Sequence, residues 1–139
     1  MKLQRVVVAV DGSPNSLRAV EWAADLAVLA GAEVVAVHAV GLLEHMGVGA
    51  DHDPLEQIRR RFEDEWCQPL AQAGASCRRI LRDGPPVSVI LAAADETDAD
   101  LIVLGSRGLG GYPELLLGST STQVAQHSHR PVTIVPLPD

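Results

Sequence analysis

Three near-continuous apolar runs dominate the chain: RVVVAV at Arg5 to Val10, EVVAVHAV at Glu33 to Val40, and DLIVL at Asp100 to Leu104. They do not alternate between apolar and polar, which is how strands covered on both faces of a parallel sheet read. Two weaker strands are predicted at Ser76 to Leu81 and Pro131 to Val135. Helical periods lie between them. Ser13-Pro14 supplies an N-cap and a first-turn proline, Leu17, Val20, Ala24, Ala27 and Val28 share one helix face, and Gly31 ends the helix. Asp53-Pro54 opens a second, charged helix running to about Ala73, Pro86 a third to about Glu96, and Thr120 a fourth ending near His127. The order β-α-β-α-β-α-β-α-β predicts a parallel sheet with helices on both faces and right-handed crossovers. Gly41 to Asp53 has no consistent period and reads as a mobile loop, either a lid or partner surface or a plain surface excursion.

A chain of 139 residues, 47% apolar and 21% charged, reads as one α/β domain over residues 1–139. A net charge of -7 and a pI near 5.1 argue against nucleic acid, whose phosphates are met by clustered Lys and Arg. No apolar run approaches the roughly 20 residues of a membrane span, and MKLQRVVVAVDGS reaches an acidic turn before any cleavage pattern, so a cytoplasmic protein without membrane contact is expected. Cys67 and Cys77 form no CxxC and read as reduced thiols.

Five of the twelve glycines fall within Gly105 to Ser121, GSRGLGGYPELLLGSTS, directly after the fourth strand. Ligands of open α/β sheets bind beyond the carboxyl ends of the strands, where Asp11-Gly12-Ser13, Ala39-Val40 and this segment all end. Glycine at 105 and 108 lets backbone N–H groups line a concavity. Gly118-Ser119 leads into the last helix, whose first N–H groups lack intrahelical partners and carry partial positive charge. That combination suits a phosphate chain. The Ser119, Thr120 and Ser121 hydroxyls add donors, and Thr120 with Gln123 has capping-box spacing. Gly110, Gly111 and Thr122 read more simply as corner and cap residues. A Walker A loop is excluded, because the single lysine is Lys2, and no GxGxxG fingerprint is present.

The spacing Gly105-x2-Gly108-x9-Gly118-Ser119 resembles the nucleotide-binding motif of the ATP-binding subgroup of the universal stress protein family. So do VVVAVDGSPNS, VVAVHAV, LIVLGSRGLGG, LLLGSTSTQV and RPVTIVP, which together cover nearly the whole chain. The resemblance implies a Rossmann-like, adenine nucleotide alpha hydrolase-like fold with a five-stranded parallel sheet in order 3-2-1-4-5. It also implies ATP held by the glycine motif, with Mg²⁺, and a homodimer through the last strand, Pro131 to Pro136. Carried residue by residue, it puts Ala9, Val10 and Asp11 near the nucleoside and ribose and the backbone of Ala39 at the adenine edge. Gly105, Ser106, Arg107, Gly108, Gly118, Ser119, Thr120 and Ser121 surround ribose and phosphates. Tyr112-Pro113-Glu114 departs from the family pattern, placing a proline and an acid where many members carry a basic residue.

On its own chemistry, Asp11 is either a ribose or Mg²⁺-water acceptor or an Asp-Gly turn residue. Arg107 is either a phosphate partner or a solvated loop charge. His38, inside an apolar strand, reads as a satisfied core histidine, and His127 and His129 as helix C-terminal residues. His45 and His52 fall in the irregular loop. Arg59-Arg60-Arg61, flanked by Glu56, Glu63, Asp64 and Glu65, reads as an ion-paired helix face. No GxSxG elbow or HExxH pair stands in the sequence, so no catalytic residue is assigned. The expectation is an ATP-dependent stress-response regulator with slow or no hydrolysis. The alternatives are a nucleotide hydrolase or transferase acting at the α-phosphate, and a dimeric scaffold with no ligand.

Overall fold

The computed structural model describes residues 2–41, 54–107 and 117–137. The apolar runs form strands β1 (Arg5–Ala9), β2 (Glu33–Val40), β3 (Ser76–Asp83), β4 (Leu101–Gly105) and β5 (Val132–Val135). All pairings are parallel, and the sheet order is β3-β2-β1-β4-β5, as the resemblance implied. The order reverses beside β1, so a crevice opens above the carboxyl ends of β1 and β4.

Helices α1 (Pro14–Ala30), α2 (Pro54–Arg60), α3 (Gln68–Ala73), α4 (Pro86–Thr97) and α5 (Ser119–His127) connect the strands. Side chains of successive strand residues point to opposite faces, so each central strand feeds two cores. Val6, Val8, Val34, Ala36 and Val103 pack with Ala19, Val20, Ala23, Phe62 and Leu70 beneath α1 and α3. Val7, Val35, Val37, Ile102 and Leu104 pack with Val89, Ile90, Ala93 and Val124 beneath α4 and α5. Small alanines on the α1 face let that helix lie close to the sheet.

The single charged helix expected from 53 to 73 is interrupted. Arg61–Trp66 is a π-helical turn, and the Cys67 amide reaches back five residues to the Phe62 carbonyl at 3.1 Å. Pro69 follows within the first turn of α3, where its missing N–H costs no helical bond. The turn buries Phe62 and half-buries Trp66 under the same sheet face. The expected ion-paired face is present: Arg60 meets Glu56 at 3.5 Å, and Arg59 and Arg61 meet Glu63 and Glu65 at 3.8 Å. Most of the segment expected as a mobile loop, including His45 and His52, lies outside the described residues, as do Gly108, Gly110, Gly111 and Tyr112-Pro113-Glu114.

Candidate functional site

Short polar side chains lock the turn after β1. Asp11 Oδ1 accepts the Ser13 amide at 2.9 Å, and Ser13 Oγ accepts the Ser16 amide at 3.1 Å as the N-cap of α1. Ser16 Oγ in turn accepts the Asp11 amide at 3.0 Å. Asp11 is therefore an Asx-turn residue and also a carboxylate at the strand end. Gly12 has φ +83°, and a Cβ there would stand 2.6 Å from Cε2 and Cζ2 of Trp66. Glycine is required both by the left-handed turn and by the indole against it.

Val10 is buried, donates its amide to the Val37 carbonyl at 2.8 Å and receives His38 Nδ1 on its carbonyl at 2.6 Å. A carbonyl only accepts, so the proton of this contact sits on Nδ1. His38 is buried and flanked by Phe62 and, edge-on, by Trp66. It is the satisfied core histidine expected from the sequence, and it ties β2 to the turn that carries Asp11. Ala9 and Ala39 cap their strands on the opposite face, partly buried against the cluster beneath α4 and α5.

The end of β4 is joined to both neighbouring helices. A Cβ on Gly105 would stand 2.7 Å from the Asn15 carbonyl oxygen, so bare backbone there makes room for α1. Ser106 is buried and its polar groups are all engaged. Its hydroxyl donates to Asn15 Oδ1 at 3.1 Å, its amide to the Val135 carbonyl at 3.1 Å, and its carbonyl accepts the Gly118 amide at 2.7 Å. Ser121 Oγ donates to the Gly105 carbonyl at 2.7 Å. Arg107 is half-buried.

Gly118 is the N-cap of α5 and provides no side-chain cap, so the expected Thr120–Gln123 capping box does not form. The cap falls two residues earlier because the Gly118 amide is drawn onto Ser106. Thr122 is the first α5 residue whose amide bonds back, to the Gly118 carbonyl at 3.0 Å. The amides of Ser119, Thr120 and Ser121 precede it and have no acceptor within the helix. With the helix dipole they form an anion-attracting end beside the carboxyl end of β4.

Sequence patterns did not mark Asn15 or Trp66. Asn15 stands in the first turn of an otherwise regular amphipathic helix, where only the three-dimensional approach to β4 gives it a partner. Among the described residues, no group of three or more His, Cys, Asp or Glu is placed to hold a metal ion, and no helix is long and apolar enough to cross a membrane. The donors gathered here are amides and hydroxyls with one acid, Asp11. They suit delocalised anionic oxygens together with a hydroxylated group, and they fit Mg²⁺ only as an ion held through water or ligand oxygens.

Fold and site together define a doubly wound, Rossmann-like α/β protein whose last helix begins, without a side-chain cap, at the topological switch point. The family model described as the universal stress protein family matches residues 2–136. The Bacillus subtilis universal stress protein YxiE is 34% identical, over 94% of this chain and 97% of its own. The chain belongs to the universal stress protein family. Its fold also matches a universal stress protein crystallised in complex with cAMP, at 34% identity and a TM-score of 0.75, over 98% of both chains. An Archaeoglobus fulgidus universal stress protein in complex with dAMP matches at 29% identity and a TM-score of 0.70, over 97% of this chain and 99% of that one.

Proposed function

We propose that this chain binds an adenine nucleotide at the carboxyl ends of β1, β2 and β4, with ATP and Mg²⁺ as the working ligand, and acts as a nucleotide-dependent regulator. One observation carries the reading: the amides of Ser119, Thr120 and Ser121, which have no acceptor within α5, stand at the switch point beside the end of β4. Phosphate oxygens are held by amides and dipole, without a lysine. Ala9, Val10 and Asp11 border the nucleoside, the Ala39 backbone meets the adenine edge, and Arg107, Gly108 and Gly118 complete the phosphate side. Gly105 and Ser106 contribute by fixing this geometry. Bound Mg²⁺ would screen the phosphate charge, with Asp11 reaching its waters. Two relatives in complex with cAMP and dAMP support a nucleotide of this class. Turnover in this reading is slow at most, because the chain's single lysine, Lys2, stands before β1 and none is present in the glycine segment to offset developing phosphate charge.

The test is a melting experiment. A ligand present at about 100 times its Kd stabilises by roughly 2.7 kcal/mol, which for a chain of this size raises Tm by about 5–10 °C. Millimolar ATP with Mg²⁺ is expected to give that shift, chelation of Mg²⁺ to reduce it, and Gly118→Val to remove it while the variant stays folded. An unshifted wild-type protein would leave the ligand-free scaffold as the better reading.

A further inference from the structure

A half-open cavity of about 550 Å³ lies between the amino-terminal half of α1 and the π turn with α3. Its volume is that of ordinary small-molecule sites, and its lining includes none of the residues proposed above to meet the nucleotide. Each wall carries one carboxylate, Glu21 on α1 and Glu65 in the π turn. Trp66, Leu17 and Pro69 give it apolar surface, and the Gln72 side chain gives an amide oxygen that accepts. No Lys, Arg or His is among the described residues around it.

A cleft lined by charge of one sign concentrates counter-ions, and the net charge of -7 adds to the same field. The corner already takes up a cation from the chain itself. Arg61 lies over the Trp66 ring, its guanidinium carbon 5.3 Å from the centroid, and its Nε stands 3.8 Å from Glu65 Oε2. Those two side chains are 57% and 65% exposed, so their pairing is weak enough for a second cation to displace. Glu21 forms no ion pair among the described residues. It also stands two turns beyond the N-cap Ser13, past the reach of the positive end of α1. Among the described residues no third His, Cys, Asp or Glu joins these two acids to hold a metal ion. The apolar surface between the two carboxylates suits a cation that brings its own methylenes.

We infer that this cavity binds an aliphatic diamine or guanidino-amine. One cationic head meets Glu21, the other competes with Arg61 for Glu65 and the Trp66 ring, and the connecting methylenes lie against Leu17 and Pro69. Ligand-observed saturation-transfer NMR on the full chain, with putrescine and agmatine as probes and butanediol as the neutral counterpart, tests it. Half-saturation by at least one amine is expected on the order of 1 mM, with no saturable response from butanediol. Glu21→Gln removes one charge at nearly constant shape and should weaken binding roughly tenfold. Asp98→Asn removes the same charge at an exposed left-handed residue outside the cavity, and should leave binding unchanged within about twofold. Both side chains are exposed, so each variant should keep its Tm within about 2 °C of wild type. Arg61→Gln removes the internal competitor and should tighten binding about two- to fivefold. The inference is overturned if neither amine saturates, if butanediol saturates at the same concentration, or if Arg61→Gln fails to tighten binding. It is overturned equally if Glu21→Gln and Asp98→Asn have the same effect, which would mark diffuse attraction to an acidic chain.

Discussion

Gly105 is a glycine because α1 descends onto it. Its missing Cβ would press on the Asn15 backbone, and backbone cannot yield as a flexible side chain tip can. Gly105→Ala is therefore expected to destabilise the fold by about 1–3 kcal/mol, read as a lower urea midpoint with no nucleotide present. A residue needed only for phosphate approach would leave that midpoint unchanged. Cys67 gives a second residue-scale prediction. Burial pushes its thiol up to about 12 from 9.0, so the fold favours the neutral form. The associated stability is fully present below pH 9 and is lost as pH rises from 9 towards 12, by about 1.4 kcal/mol per pH unit. Urea midpoints at pH 8 and 10.5 should diverge in wild type more than in Cys67→Val.

At the scale of elements, Asp100 staples the start of β1 to the start of β4. Its carboxylate accepts the Gln4 and Arg5 amides at 2.8 and 3.0 Å, and its own amide donates to the Arg5 carbonyl at 2.9 Å. Those two amides hold the carboxyl below its ordinary value of 3.8. A depressed folded value means stability present above about pH 4 and lost as pH falls through the folded value. The acid limb of a Tm-against-pH curve should therefore be shallower in Asp100→Asn than in wild type. Strand and helix order was legible because buried parallel strands leave unbroken apolar runs. The π turn was not, since one inserted backbone residue leaves the charge spacing of 56 to 65 intact. It shows only in what it brings together: Phe62 and Trp66 on one side, against His38.

For the whole molecule, β5 pairs only with β4 among the described residues, so it stands last in the sheet. An uncovered edge strand invites pairing with another chain, and a second copy joined at Pro131 to Pro136 is the arrangement we propose. Sedimentation equilibrium at micromolar concentration should give twice the chain mass of 14.7 kDa, and Thr133→Pro should return it to the monomer. A wild-type monomer under those conditions would rule out that pairing.

The order of elements and the doubly wound class followed from sequence, because apolar runs, caps and glycines are local signals of burial and turning. The division of labour within the glycine segment did not. Whether an amide faces a ligand or a carbonyl depends on contacts between residues far apart in the chain: Asn15 with Ser106, Ser106 with Gly118, Gly105 with Ser121. Only the folded chain brings those partners together, and so only tertiary structure separated Gly105, whose bare backbone makes room for α1, from Gly118, which caps α5 without a side chain.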